Sequence, residues 1–244
     1  MLITGGSSGI GLQMVRLFVS RGAKVSSVAT HHDPKTVAEL NALAGLGALV
    51  RFIEANLREE VDVKRAFVEA STAHGVPEIL FNNAGVSLRS RVMDVTRDEW
   101  SGVMDINLKA MFFVAQEAAR RMMAAKISGS IINMTSILGH RAMTGTAVYS
   151  ASKAALSQMT KALAFELTGQ GIRVNAIAPG WFETRMTSDF LNGGAKAFLK
   201  SVNPMRRLGE DGDLDGAALL LASNAGRYMT GTIITVDGGQ SLSG

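Results

Sequence analysis

Short runs of β-branched and apolar residues alternate along this chain with longer segments whose apolar residues recur at helical spacing. That alternation restricts the fold to repeated strand-helix-strand units around a mainly parallel sheet. The runs expected to form strands are residues 2–4, 24–29, 49–54, 79–82, 130–134, 173–178 and 232–236. Between them lie segments long enough for crossover helices. The one at 150–168 carries Leu156, Met159, Leu163 and Leu167 at steps of three and four, a single apolar stripe. Pro34, Pro77, Pro179 and Pro204 stand at element boundaries and no repeat or linker breaks the alternation, so the 244 residues read as one domain. The least regular stretch, about 181–205, combines aromatic residues with Gly193-Gly194 and is the candidate for a mobile substrate lid.

Composition narrows the function. With 47% hydrophobic residues the chain is not generally disordered. The 25 basic and 21 acidic residues leave a charge of +4, but no Lys/Arg-rich run concentrates it, so neither a nucleic-acid partner nor a membrane surface is expected. The absence of cysteine excludes disulfides, thiolate chemistry and cysteine-containing zinc patterns, and fits a reducing compartment. The start, Met1-Leu2-Ile3-Thr4-Gly5, lacks the features of a secretory signal, and no apolar run reaches the roughly 18 residues of a membrane span. A cytoplasmic location is expected. His31 and His32 are adjacent and diverge on an extended chain, while His74 and His140 are isolated, so no metal site is expected.

Thr4-Gly5-Gly6-Ser7-Ser8-Gly9-Ile10-Gly11 follows the first apolar run and opens a helix-patterned segment, 12–20. Glycine permits a tight turn there and lets backbone amides approach a pyrophosphate at the positive end of a helix. The spacing differs from G-x-G-x-x-G, and no Gly-Lys-Ser/Thr follows, which disfavours a nucleoside-triphosphate loop. An ordinary strand-to-helix connection is the alternative for these residues taken alone. The second run ends Val28-Ala29-Thr30-His31-His32, without the acid that favours a free ribose 2′-hydroxyl. Thr30 with His31 can bond a 2′-phosphate instead, so NADP(H) is preferred and NAD(H) remains open; a solvated turn is the other reading of the histidines.

Tyr149 is followed four residues later by Lys153, which places both on one helix face. A free phenol, with a pKa of about 10, is a poor base at neutral pH; a nearby ammonium and a cationic nicotinamide favour its phenolate. Tyr149 can then exchange a proton with an alcohol or carbonyl oxygen. Ser136 stands at the end of the 130–134 run, where strand ends of a parallel sheet converge on ligands, and is placed to hydrogen-bond the same oxygen. Asn107 is an odd choice for a helix interior unless its amide or a displaced carbonyl has a task.

Taken in order, Thr4-Gly5-x-x-x-Gly9-x-Gly11, Asn82-Asn83-Ala84-Gly85, Asn107, Ser136, Tyr149-x-x-x-Lys153, Pro179-Gly180 and Val236-Asp237-Gly238-Gly239 resemble the classical short-chain dehydrogenase/reductase family over almost the whole chain. The resemblance implies an α/β fold: a single doubly wound, Rossmann-like NAD(P)-binding domain over residues 1–244, with a seven-stranded sheet and helices on both faces. It implies a tetrad of Ser136, Tyr149, Lys153 and Asn107. In that tetrad Tyr149 is general acid or base, Ser136 polarises the oxygen, Lys153 holds the nicotinamide ribose and lowers the Tyr149 pKa, and Asn107 supports a water relay. Cofactor contacts are implied at Gly5, Ser7, Ser8, Gly9, Ile10, Gly11, Asn56, Leu57, Asn83, Ala84 and Gly85, at Tyr149 and Lys153, and at Pro179, Gly180, Phe182 and Thr184 around the carboxamide, with transfer of the pro-S hydride. Asn56 departs from the family's usual aspartate beside adenine, and the first strand is short; extending it with apolar residues is expected to raise the melting temperature.

The expected activity is reversible reduction of a ketone to a secondary alcohol. Ile137, Leu138, His140, Met143, Trp181, Phe182 and Met186 are the candidate substrate pocket, a mostly apolar set suited to small ketones. Arg89, Arg141 and Arg185 can instead recognise the carboxylate of a keto acid or sugar acid. An NAD-dependent sugar-acid or polyol dehydrogenase and a 3-oxoacyl-thioester reductase are the alternative activities, although Ile127, with Lys126 adjacent, and Gln170 stand where thioester reductases of the family tend to place basic residues. A cofactor-sensing protein without chemistry is the non-enzyme alternative. The resemblance also implies a homotetramer through helices near 101–125 and 150–168, where Ala115, Ala118, Ala119, Ala154 and Ala155 allow close approach, unless they pack on the chain's own sheet.

Overall fold

Neighbouring residues on the strands face opposite ways, as a pleated backbone requires. Leu2, Leu80, Ile131 and Val174 enter one apolar layer, and Ile3, Phe81, Ile132 and Ile177 enter another. The strands are β1 (Leu2–Thr4), β2 (Val25–Ala29), β3 (Val50–Glu54), β4 (Ile79–Asn82), β5 (Gly129–Met134), β6 (Ile172–Pro179) and β7 (Ile233–Val236). In this computed structural model, which describes residues 1–44 and 50–242, they form one sheet in the order β3-β2-β1-β4-β5-β6-β7, each adjacent pair parallel. Leu49, expected to open β3, lies outside the described residues.

One layer is closed by α3 (Glu60–His74), α5 (Met111–Ala125) and α6 (Ala147–Leu167). The other is closed by α1 (Gly9–Ser20), α2 (Pro34–Ala44) and, later in the chain, Asp215–Ala222. Coverage of both faces explains why the strands read as near-continuous apolar runs. The fold is the doubly wound, Rossmann-like α/β sheet expected. Strand order reverses between β1 and β4, and that switch opens a crevice at the carboxyl ends of the strands.

Although β1 has only three residues, it pairs with β2 on one side and β4 on the other, and Leu2 and Ile3 are fully buried. The Met1 ammonium adds a 2.7 Å bond to the Lys24 carbonyl. Helix α4 (Arg97–Met104) starts at a capping box, Thr96 with Glu99, and runs through one wide π-helical turn, Asp105–Ala110, into α5. Under β4 and β5, Asn82 donates to the Met111 carbonyl (2.8 Å) and to Asn133 (3.1 Å), and Asn133 donates to Thr160 (3.0 Å), so these buried amides are satisfied.

Ala115, Ala118 and Ala119 are consumed by the chain's own core and cannot face a second subunit, whereas Ala154 is exposed. The large apolar groups left outside on α4, α5 and α6 are Trp100, Phe113, Met123 and Phe165. No helix of the described residues is long and apolar enough to cross a membrane.

Candidate active site

The loop after β1 turns at Gly5, whose φ of +66° is open to glycine at little strain. A side chain there would also sit 2.9 Å from the Asn83 amide nitrogen. Asn83 belongs to the loop after β4, and the two loops are stitched together. Thr4 Oγ1 accepts from the backbone of Asn83 (2.9 Å) and Ala84 (3.0 Å), and Asn83 Nδ2 donates to the Thr4 carbonyl (3.0 Å). Gly11, in the first turn of α1, lies against the Gly5 carbonyl so closely that any Cβ would overlap it. The start of α1 is thereby drawn onto the glycine turn with its free amides toward the crevice.

The crevice is a cleft of about 410 Å³. Its walls hold Gly5, Ser7, Ser8, Gly9 and Ile10 from the first loop, Thr30 after β2, Asn56 and Leu57 after β3, and Asn83, Ala84 and Gly85 after β4. Ser136, Tyr149, Lys153, Pro179, Gly180, Phe182 and Thr184 complete it. Gly11 supports the loop from beneath rather than lining the cleft. Among the described residues the charged groups in the wall are Arg58, Lys153 and Arg185, all cationic, which suits a polyanionic dinucleotide. Asn56 uses its side-chain oxygen to accept from the Arg58 backbone (3.2 Å).

His31 does not line the cleft. It is drawn to Glu54, with Nδ1 3.3 Å from Oε1, because β2 and β3 end in register, Ala29 beside Glu54. Arg58, which reasoning from the sequence passes over, takes a place in the wall and donates to the Gly102 carbonyl at 2.9 Å. Its only sequence signal is its position just after Asn56 and Leu57.

Ser136 stands two residues after the end of β5, and its Oγ accepts from the Leu138 amide (3.1 Å). Burial pushes the Tyr149 phenol above its ordinary value, and a hydrogen bond with Ser136 works in the opposite direction. Lys153 is buried, its ammonium donating to the Met134 carbonyl at 2.9 Å, and desolvation lowers its pKa from 10.5 to about 8. Its Nζ lies 5.8 Å from the centre of the Tyr149 ring. Asn107 occupies the π turn and is fully buried; its amide is exchanged with the backbone of Val86 and also donates to Ser152 Oγ (3.2 Å). A Cβ on Gly85 would stand 3.2 Å from Asn107 Oδ1 and 3.5 Å from Lys153 Nζ, so both groups border the same small space.

A side pocket of about 90 Å³ shares Ser136 and Tyr149 with the cleft. Ile137, Leu138, Trp181 and Met186 line it as expected. Phe182, His140 and Met143 do not: Phe182 lines the larger cleft instead, and the tight turn at Ile137–Gly139 carries the chain outward and leaves His140 exposed. In their place stand Ser87, Leu88, Arg89, Thr146, Thr187 and Phe190. The loop after β4 leaves the sheet at the strand-order switch, which is a sequence-level reason to look at residues 87–89. Phe190, on α7 (Ser188–Phe190), is brought in by tertiary packing alone: Trp181 and Phe190 approach to 5.2 Å between ring centres.

Residues 5–241 match a family model described as enoyl-(acyl carrier protein) reductase. Among curated proteins, the 3-oxoacyl-[acyl-carrier-protein] reductase FabG of Chlamydia pneumoniae is 38% identical over 240 residues, 98% of this chain and 95% of that protein. A short-chain type dehydrogenase/reductase from Mycobacterium marinum superposes with a TM-score of 0.92 at 32% identity, covering 98% of this chain and 94% of that one. A gluconate 5-dehydrogenase from Burkholderia cenocepacia, solved with NADP and tartrate, gives a TM-score of 0.91 at 32% identity over 100% of this chain and 95% of that one. Sequence, sheet topology and superposition agree: the chain belongs to the short-chain dehydrogenase/reductase family and is an oxidoreductase of carbonyl and alcohol groups.

Proposed function

We propose that this enzyme reduces a ketone to a secondary alcohol, reversibly, with NADP(H) preferred and Tyr149 as the proton donor. The observation that carries the reading is the convergence of Ser136, Tyr149 and Lys153 on one cleft that also contains the glycine loop. The nicotinamide, when bound, supplies or accepts the hydride. Ser7, Ser8, Gly9 and Ile10 would hold the pyrophosphate at the start of α1, Thr30, Asn56 and Leu57 the adenosine half, and Pro179, Gly180, Phe182 and Thr184 the carboxamide.

In reduction, Ser136 Oγ hydrogen-bonds the substrate oxygen and Tyr149 Oη gives it a proton. Burial keeps that phenol protonated near neutrality, the state a general acid needs. With a pKa of about 8, the Lys153 ammonium remains charged at pH 7 and stabilises the negative charge that develops on Tyr149. Proton return runs through the space beside Gly85, bordered by Lys153 and Asn107. The preference for NADP(H) rests on a cleft wall with no acidic side chain among the described residues and with Arg58 after β3. Residues 181–205 act as the lid over the side pocket. Trp100, Phe113 and Phe165, exposed on α4, α5 and α6, support a homotetramer, which a mass measurement in solution tests.

The C. pneumoniae relative favours a second reading, reduction of a 3-oxoacyl thioester. Parallel assays with NADPH and NADH across simple ketones, keto acids, sugar acids and a 3-oxoacyl thioester test both. Loss of reduced-cofactor absorbance, faster with NADPH, is expected; flat traces with demonstrated cofactor binding would contradict the proposed activity.

A further inference from the structure

Arg89 is the one charged side chain among the described residues lining the side pocket that Ser136 and Tyr149 share. Its guanidinium carbon lies 3.6 Å from the centre of the Phe190 ring. At that distance the guanidinium must lie over the ring face, because an edge-on approach would overlap the carbons. Stacking of this kind occupies the face of the planar cation and leaves the N–H donors around its rim unspent. No acidic group among the described residues pairs with it. The backbone behind it is fixed, since the Ser90 amide donates to the Gly145 carbonyl at 3.0 Å, in the loop leading to Tyr149. The other two arginines with the same potential are committed elsewhere: Arg141 donates to the Gln240 carbonyl, and Arg185 lines the cofactor cleft rather than the side pocket.

We infer that Arg89 is the anion-recognising residue of the substrate pocket, and that the substrate is a carbonyl compound or alcohol carrying a carboxylate. The inference rests on the proposed reading of Ser136 and Tyr149 as the reacting end. The pocket is small, so a compact occupant held by those two hydroxyls shares the space with Arg89. The rest of the lining is neutral, and a rigid fork of donors on the wall of such a space matches a carboxylate in charge and in shape. Phe190 belongs to the segment proposed as lid, so closing that segment over the pocket is what holds the guanidinium in place. Substrate recognition and closure would then act through one contact.

The test uses the NADPH-loaded wild-type protein and its Arg89→Gln and Arg89→Lys variants. The probes are acetoacetate, 4-oxopentanoate and 5-oxohexanoate, each against its methyl ester, together with the N-acetylcysteamine thioester of acetoacetate. Wild type is expected to favour at least one acid over its ester by about 10- to 100-fold in kcat/KM, the worth of a hydrogen-bonded charge pair. Arg89→Gln should erase that ratio through a raised KM for the acid, and Arg89→Lys, which keeps the charge without the fork, should restore part of it. A residue that only latched the lid would lower acid and ester together and leave the ratio intact, which would overturn the inference. Esters or the thioester reduced at least as well as the acids by wild type would overturn it too, while leaving the carbonyl-reductase reading standing. Inactivity toward every probe would contradict both.

Discussion

Asn107 and Val86 exchange two hydrogen bonds: the Val86 amide donates to Asn107 Oδ1 at 2.8 Å, and Asn107 Nδ2 donates to the Val86 carbonyl at 2.9 Å. The pair ties the π turn between α4 and α5 to the loop that follows β4, and so sets where Gly85 meets Lys153. Asn107→Ala leaves backbone groups short of partners in a part-buried place, at a cost of about 1–3 kcal/mol. A lower melting temperature is expected together with a drop in kcat, and Asn107→Asp should recover little because it lacks the donor. Thermal melts and steady-state rates check this; an Asn107→Ala protein with unchanged kcat would remove Asn107 from the site.

Gly11 admits no side chain because the Gly5 carbonyl occupies the position of its Cβ. Gly11→Ala must push α1 away from the turn it caps. Cofactor affinity should fall about tenfold or more, with a stability loss on the order of 1–3 kcal/mol from the forced backbone shift. Titration of reduced-cofactor fluorescence and a denaturant melt measure the two effects.

Lys153 is held as a cation where burial lowers its pKa from 10.5 to about 8. The folded protein therefore binds fewer protons than the unfolded chain between those values, and this group's contribution to stability rises with pH across that window. Below about pH 8 the buried charge costs on the order of 3 kcal/mol, at 1.36 kcal/mol per pKa unit. Lys153→Met should be inactive yet more stable than wild type at pH 7, with the difference shrinking between pH 8 and 10. Urea melts over that range decide; a variant less stable at every pH would contradict the desolvation account.

How much of this is legible in the sequence differs by level. The strands appear where β-branched runs put them, with β6 extending one residue beyond either expected end: Pro179 lacks a donor but can close a strand, pairing with Val236. The π turn was foreshadowed only by an asparagine inside a helical segment. The residues that differ from expectation are placed by a distant neighbour or by a tight turn. His31 follows Glu54 across two strands, and His140 and Met143 are near Ser136 in sequence but turn away from it in space. Arg58 and Phe190 reach their pockets through contacts with Gly102 and with Trp181 that no local pattern announces.

Arg58 supplies a direct check on cofactor choice. If its guanidinium in the cleft wall favours a 2′-phosphate, Arg58→Ala should lower the NADPH-to-NADH ratio in kcat/KM by about tenfold, the worth of one charge-assisted hydrogen bond. An unchanged ratio would assign the preference to Thr30 and the loop amides instead.

Catalysis turns on a single proton, and Tyr149→Phe removes its donor while leaving the ring in place. With NADPH and a ketone that wild type reduces, kcat should fall by about 100- to 10,000-fold while the cofactor dissociation constant changes little. A Tyr149→Phe enzyme that binds NADPH normally and keeps turnover close to wild type would contradict the assignment of Tyr149 as the acid.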